Sequence, residues 1–239
     1  VAVAAVCMLG ATSVKAQEFT IQGDFVSSYV WRGIYQGGAA SFQPTLGFSI
    51  GDFSVTAWGS TDFDGNKSSE GLASKEIDLT AAYTLGESGP TLSVASLWWA
   101  GQGAGKYFNF KSHETAHFFE AGLAYTLPCE KLPLSMAWYL MFAGADKNEE
   151  GKQNYSSYCE LNYPFSVKSV DLNATVGFVP YKTYTVGYGN SGFAFTNVAL
   201  KATTAIRITD SFSLPIFAQA IWNPCLEDAH LVFGITLKP

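Results

Sequence analysis

Arginine occurs only twice in this chain, at Arg32 and Arg207, and 14 basic residues face 20 acidic ones. With so little to neutralise phosphates, nucleic acid is not expected as a partner. Charge of either sign is scarce, at 14% of residues against roughly 25% in an average soluble domain. Disorder is excluded as well, because 15% of residues are aromatic and 48% hydrophobic, whereas disordered chains are charge-rich and poor in aromatics. Long hydrophobic runs are missing: beyond the first dozen residues none approaches the roughly 20 that a spanning helix needs. Cysteine is rare. Past Cys7 there are only Cys129, Cys159 and Cys225, an odd number that closes no disulfide framework, and their spacing resembles no zinc site. A chain this apolar and this poor in charge, without a spanning helix, fits a β-barrel whose apolar face meets lipid.

The first residues agree with that compartment. Val1 to Gly10 is an apolar core, and Val14 and Ala16 are the small residues a signal peptidase accepts before its cut. The expectation is a cleaved signal peptide over 1–16, with further residues upstream, and one domain over 17–239.

Period-two alternation dominates the rest. Phe19, Ile21, Gly23, Phe25, Ser27, Tyr29 and Trp31 share one face, with Glu18, Thr20, Gln22, Asp24, Ser28 and Arg32 on the other. Ile77 to Leu85, Leu134 to Phe142, Val170 to Phe178 and Leu231 to Leu237 repeat the pattern. Such alternation predicts strands with one dry and one wet face. Strands are expected near 18–32, 41–50, 53–62, 76–85, 91–99, 115–127, 134–143, 154–165, 170–179, 194–208, 212–222 and 230–238. Short turns such as Gly51-Asp52 and Ser166 to Ser169 alternate with longer polar loops such as 64–75, 101–113 and 181–192. Short turns at one end and long loops at the other are the asymmetry of an outer-membrane barrel. Aromatics gather towards strand ends, as bilayer interfaces select. The fold class predicted is all-β: a closed antiparallel transmembrane barrel of about twelve strands.

The stretch Asp24-Phe-Val-Ser-Ser-Tyr-Val-Trp-Arg-Gly-Ile-Tyr-Gln36 resembles the first strand and loop of the TorF-type porin family of Gram-negative outer-membrane barrels. Val26, Ser27, Tyr29, Arg32, Gly33, Ile34 and Gln36 fit its pattern, and Ala57-Trp-Gly-Ser60 is similar to its second hairpin. This resemblance implies a porin in the cell outer membrane, with no particular solute. The layout is also similar to the nucleoside-channel type of twelve-stranded barrel.

An ionised cation facing lipid at mid-depth costs about 2–4 kcal/mol, so strand-borne charges belong inside. Alternation places Asp24, Arg32, Asp78, Glu120, Glu160, Asp171, Lys201 and Arg207 towards the lumen as pore-lining candidates, together with Glu18 and His230. Arg32 is expected to pair with a carboxylate from another strand and fix the loop that follows. Twelve strands lie between side-chain-filled and open barrels, so a narrow channel and a plugged barrel both stand. The function read from these residues is passive diffusion of small solutes, with outer-membrane lipid and a solute as partners and no cofactor. The other class is a non-conducting structural or surface-interaction barrel.

Enzyme readings are weaker. His113-Glu114-Thr-Ala-His117 matches a zinc-peptidase pattern, but that chemistry needs a helix to bring both imidazoles to one metal. On a strand, four residues span roughly 13 Å, and the residues after His117 alternate like a strand. Some twelve-stranded barrels are lipases, which need a His beside a Ser on the lipid-facing wall. His117 has no evident Ser partner on its own strand, and His230 is assigned inward. No enzyme is expected.

Overall fold

Strands form where alternation is strongest. The computed structural model describes residues 17–36, 39–63, 75–100, 106–186 and 190–239. The expected signal peptide, 1–16, lies outside them. Fourteen strands follow in order: β1 Gln17–Val26, β2 Val30–Trp31, β3 Ile34–Tyr35, β4 Ser41–Ile50, β5 Phe53–Asp62, β6 Lys75–Thr84, β7 Thr91–Ala100, β8 Phe118–Thr126, β9 Ser135–Gly144, β10 Ser157–Val167, β11 Val170–Val179, β12 Ala194–Arg207, β13 Ser213–Asn223 and β14 Asp228–Leu237. Twelve of them pair antiparallel, each with its neighbours in sequence, and β1 closes the ring between β14 and β4. The fold is an all-β closed barrel, and β2 and β3 form a separate small hairpin.

The pairing register fixes two faces. Asp24 opposes Thr236 and Gln43, Asp78 opposes Leu97, Glu120 opposes Ala95 and Met141, and Glu160 opposes Ala137 and Gly177. One parity therefore runs inward round the whole ring. The opposite parity carries Phe19, Ile21, Leu46, Leu79, Val94, Leu200, Leu231 and Phe233, all exposed on the outside. Most barrel strands have 9 to 11 residues, which at about 3.3 Å per residue and a tilt near 40° matches an apolar band of about 25 Å. A continuous apolar exterior of this extent is far larger than the patches soluble monomers tolerate.

The first strand departs from expectation. It ends at Val26 instead of reaching residue 32, and Tyr29 and Trp31 are buried inside the barrel, not aligned with Phe19 and Phe25 outside. Ser27 explains the break. Its N–H still donates to the Phe233 carbonyl (2.8 Å), but the returning bond from the Phe233 N–H goes to Ser27 Oγ (2.9 Å). The hydroxyl takes the place of a ladder carbonyl, and the backbone is released to turn into the lumen. The last loop is also shorter than expected, a four-residue turn at 224–227 between paired Asn223 and Asp228. Cys129, Cys159 and Cys225 form no disulfide with one another.

A closed ring leaves no free edge at which unfolding starts. Protein refolded in detergent is therefore expected to migrate as a compact band unboiled and to shift after boiling. No shift, together with solubility in plain buffer, would contradict this architecture.

Candidate functional site

Beyond Ser27 the chain crosses into the long-loop half of the lumen as a tight hairpin. Val30 pairs with Tyr35 and Trp31 with Ile34, leaving Arg32 and Gly33 as a two-residue turn. Their φ angles are 51° and 81°. Positive φ at both central positions is the requirement of a type I′ hairpin. Glycine meets it freely, whereas an arginine there costs about 1 kcal/mol or more. What the arginine does in return is visible in its contacts.

The Arg32 guanidinium reaches across to Glu120 on β8 and donates two bonds, Nη1 to Oε2 at 2.7 Å and Nη2 to Oε1 at 2.9 Å. Only 8% of the Arg32 side chain and 7% of that of Glu120 are exposed. Three rings surround the cation, with Cζ 4.7 Å from the centroid of Trp31, 4.5 Å from Tyr139 and 4.7 Å from Tyr158. The planar fork suits both the carboxylate and the ring faces, which an ammonium would not. Further anchors hold the hairpin's flanks. Tyr29 donates its hydroxyl to Glu76 on β6 (2.9 Å), Asn223 Nδ2 donates to the Gly33 carbonyl (3.0 Å), and Tyr35 stacks on His230 at 5.5 Å.

Around this hairpin the lumen is filled. Tyr29, Trp31, Leu97, Met141, Tyr158, Val179 and Val186 form one buried cluster, packed against Trp58, Trp99, Phe118 and Tyr139. None of these seven is more than 5% exposed, so they pack against one another and not against open water. With the buried Arg32–Glu120 pair, Glu76 and Asp78 they make a septum across the barrel. The loops above are tied down by Asp146, which is fully buried and accepts from Ser156 N (2.8 Å), Ser156 Oγ (2.6 Å) and Thr185 Oγ1 (2.7 Å). Outside on the same loops, the Tyr184 hydroxyl and the Lys182 ammonium hold the Glu149 carboxyl below its usual range.

Towards the short turns the interior changes character. Glu160 accepts from the Tyr158 hydroxyl (2.6 Å) and from Asn162 (2.7 Å), and Asn162 in turn accepts from Asn173 (2.9 Å) and Thr175 (2.7 Å). Asp24 accepts from Gln22 (3.0 Å) and Thr236 (2.6 Å). Lys201 lies over the Phe217 ring at 3.9 Å. Asp24, Asn162, Asn173, Lys201 and Gln219 all keep part of their surface exposed. This half is a polar vestibule.

The eight pore-lining candidates therefore separate into three places. Arg32 and Glu120 meet in the septum, where Asp78 is also buried, two residues from Glu76 on the same face of β6. Asp24, Glu160 and Lys201 face the vestibule. Asp171 and Arg207 stand at the short-turn rim: Asp171 is exposed and accepts from Ser166 (2.7 Å), and Arg207, at the end of β12, pairs with Asp210 (2.5 Å) with 68% of its side chain exposed. Arg207 lies in the rim rather than the lumen because its strand ends there. Alternation did not mark Glu76, Tyr139, Met141, Tyr158 or Asn223, and it set Tyr29 on the outer face, whereas Tyr29 is buried inside. The zinc-peptidase stretch forms no helix: His113 lies exposed in a turn with φ 66°, while His117 is buried with contacts at both ring nitrogens. Two imidazoles on one helix face do not occur here.

No family model and no curated protein matches the chain. Among solved structures, one described as "Asymmetric conductivity of engineered proteins" aligns with a TM-score of 0.37 and 12% identity. The alignment covers 83% of this chain but only 55% of that one, so this chain spans about half its length. Another, described as "Bacterial polysaccharide outer membrane secretin", aligns with a TM-score of 0.37 and 10% identity over 95% of this chain and 99% of that one. Likenesses this distant carry no argument, and the barrel rests on its own strand pairing.

Proposed function

We propose that this protein is a porin-like channel of the cell outer membrane, delivered by the signal peptide at 1–16, through which small solutes diffuse passively when the hairpin 27–36 leaves the septum. The apolar exterior supports the membrane, and the polar vestibule supports an aqueous path. One observation carries the gate: the element that fills the lumen is a hairpin whose strands, among the described residues, pair only with each other, held to the wall by side chains. A sheet ladder would make the hairpin part of the ring's cooperative unit, whereas side-chain anchors and ring packing leave its docking a separate local equilibrium. The stretch resembling TorF-type porins, Asp24 to Gln36, is this hairpin with its lead-in.

The same septum favours a second reading, a non-conducting structural barrel in which the hairpin never leaves. Swelling of proteoliposomes in an isotonic small sugar separates the two. The channel reading expects slow swelling with the wild type and markedly faster swelling with Arg32→Ala. Equal and negligible swelling for both, with folded barrels, would support the structural reading instead.

A further inference from the structure

The outer wall holds a second cluster, unrelated to the lumen. Ser96 lies on β7 opposite Leu79 and Phe119, which puts it on the outward parity. Its Oγ is 2.8 Å from Nδ1 of His117, the residue just before β8. The other ring nitrogen, Nε2, is 2.5 Å from the Tyr107 carbonyl. A carbonyl only accepts, so Nε2 carries a proton; in the neutral imidazole Nδ1 then has the lone pair, and the Ser96 hydroxyl donates to it. A hydroxyl donating to a histidine that a third group orients is the arrangement of an activated nucleophile. The sequence shows no serine partner for His117 on its own strand; the partner comes from the neighbouring strand, β7.

The surroundings fit a reaction and not merely a pin. His117 is 1% exposed, stacked by Phe110 at 4.6 Å and edged by Tyr107 at 5.0 Å, while Ser96 remains half-buried. Trp98 follows two residues later on the same outward face, and its indole N–H is buried and donates to nothing among the described residues. Buried donors are almost always satisfied in folded proteins; this unused one belongs to a ring 6.4 Å from that of His117, and an oxyanion formed at Ser96 would give it an acceptor. Phe108, 85% exposed, and Phe142 extend the apolar wall around the site.

We propose that Ser96 and His117 form a nucleophile–base dyad that cleaves acyl esters of membrane lipids, with Phe108 and Phe110 on the loop that covers it. Ser96 Oγ attacks the ester carbonyl as its proton passes to His117 Nδ1. The tetrahedral oxyanion accepts from the Trp98 N–H, then collapses, and the leaving alkoxide takes the proton from Nδ1. Water next attacks the acyl-serine, giving one proton back through Nδ1 to Ser96 Oγ, and the fatty acid departs. This activity shares only the barrel with the channel reading, and its test does not use conductance.

The test incubates the full chain in mixed phospholipid–detergent micelles with a fluorophosphonate probe and locates the adduct by peptide mass spectrometry. The expected result is an adduct on Ser96, absent from Ser96→Ala and from boiled protein. Labelling of His117→Gln is expected to fall by about 10²-fold or more while its heat-modifiable band persists. Hydrolysis of a fluorogenic phospholipid should follow the same order. No adduct in the wild type, or an adduct undiminished in Ser96→Ala, overturns the proposal and leaves the pair as a tether for loop 106–117. If His117→Gln fails to fold, the comparison of wild type with Ser96→Ala decides.

Discussion

Replacing Arg32 with alanine should undock the hairpin without unfolding the barrel. The substitution leaves Glu120 buried without its cation and removes the group that three aromatic rings enclose. Breaking a buried pair from one side costs about 3–5 kcal/mol, chiefly from the charge left behind. The hairpin contributes no strand pairing to the ring, so the loss falls on docking alone. Hydrogen exchange of the Val30 and Tyr35 amides should accelerate by about two to three orders of magnitude, since each 1.4 kcal/mol is tenfold. Combining Arg32→Met with Glu120→Leu should restore much of the protection, because neither charge is then stranded. Fast exchange that persists in the double variant would show that the rings, and not the charge pair, hold the hairpin.

Gly33→Ala should act from the other side of the same contact. A Cβ at Gly33 would lie 1.8 Å from the Thr196 carbonyl oxygen, a backbone atom of β12 that cannot swing aside. The φ of +81° adds strain for any residue with a side chain. The turn must retract, and with it goes the bond from Asn223 to the Gly33 carbonyl. Undocking comparable to that of Arg32→Ala is expected, by the same exchange measurement. Gly86→Ala serves as the control: it also has a positive φ (+73°) but meets nothing within 4 Å, so only local strain should appear. Equal effects at both positions would show that the close approach to β12 does not matter.

The barrel was legible because period two survives in nearly every strand; from Ser41–Ile50 to Asp228–Leu237 the observed bounds fall close to the alternation. What alternation hides is a break made by a single side chain. Ser27 continues the pattern in sequence, and nothing local announces that its hydroxyl stands in for a carbonyl. Arg32 was legible as an inward charge with a partner on another strand, but Glu120 is 88 positions away and register alone brings it near. The septum did leave a trace. Leu97-Trp98-Trp99 and Trp138-Tyr139-Leu140-Met141-Phe142 are apolar on both faces at the long-loop ends of β7 and β9. A strand apolar on both sides is dry on both sides, so these runs mark where the lumen is filled. Ser96 and His117 were invisible together for the reason that hid Glu120: pairing across strands is not local.

Single-channel recording in planar bilayers tests the gate most directly, comparing the wild type with a variant in which residues 28–35 are replaced by a short Gly-Ser link. Both should keep heat-modifiable mobility. Brief, infrequent openings on a silent baseline are expected for the wild type, and stable stepwise currents for the variant. A large steady current from the wild type, or silence from the folded variant, would contradict the gate.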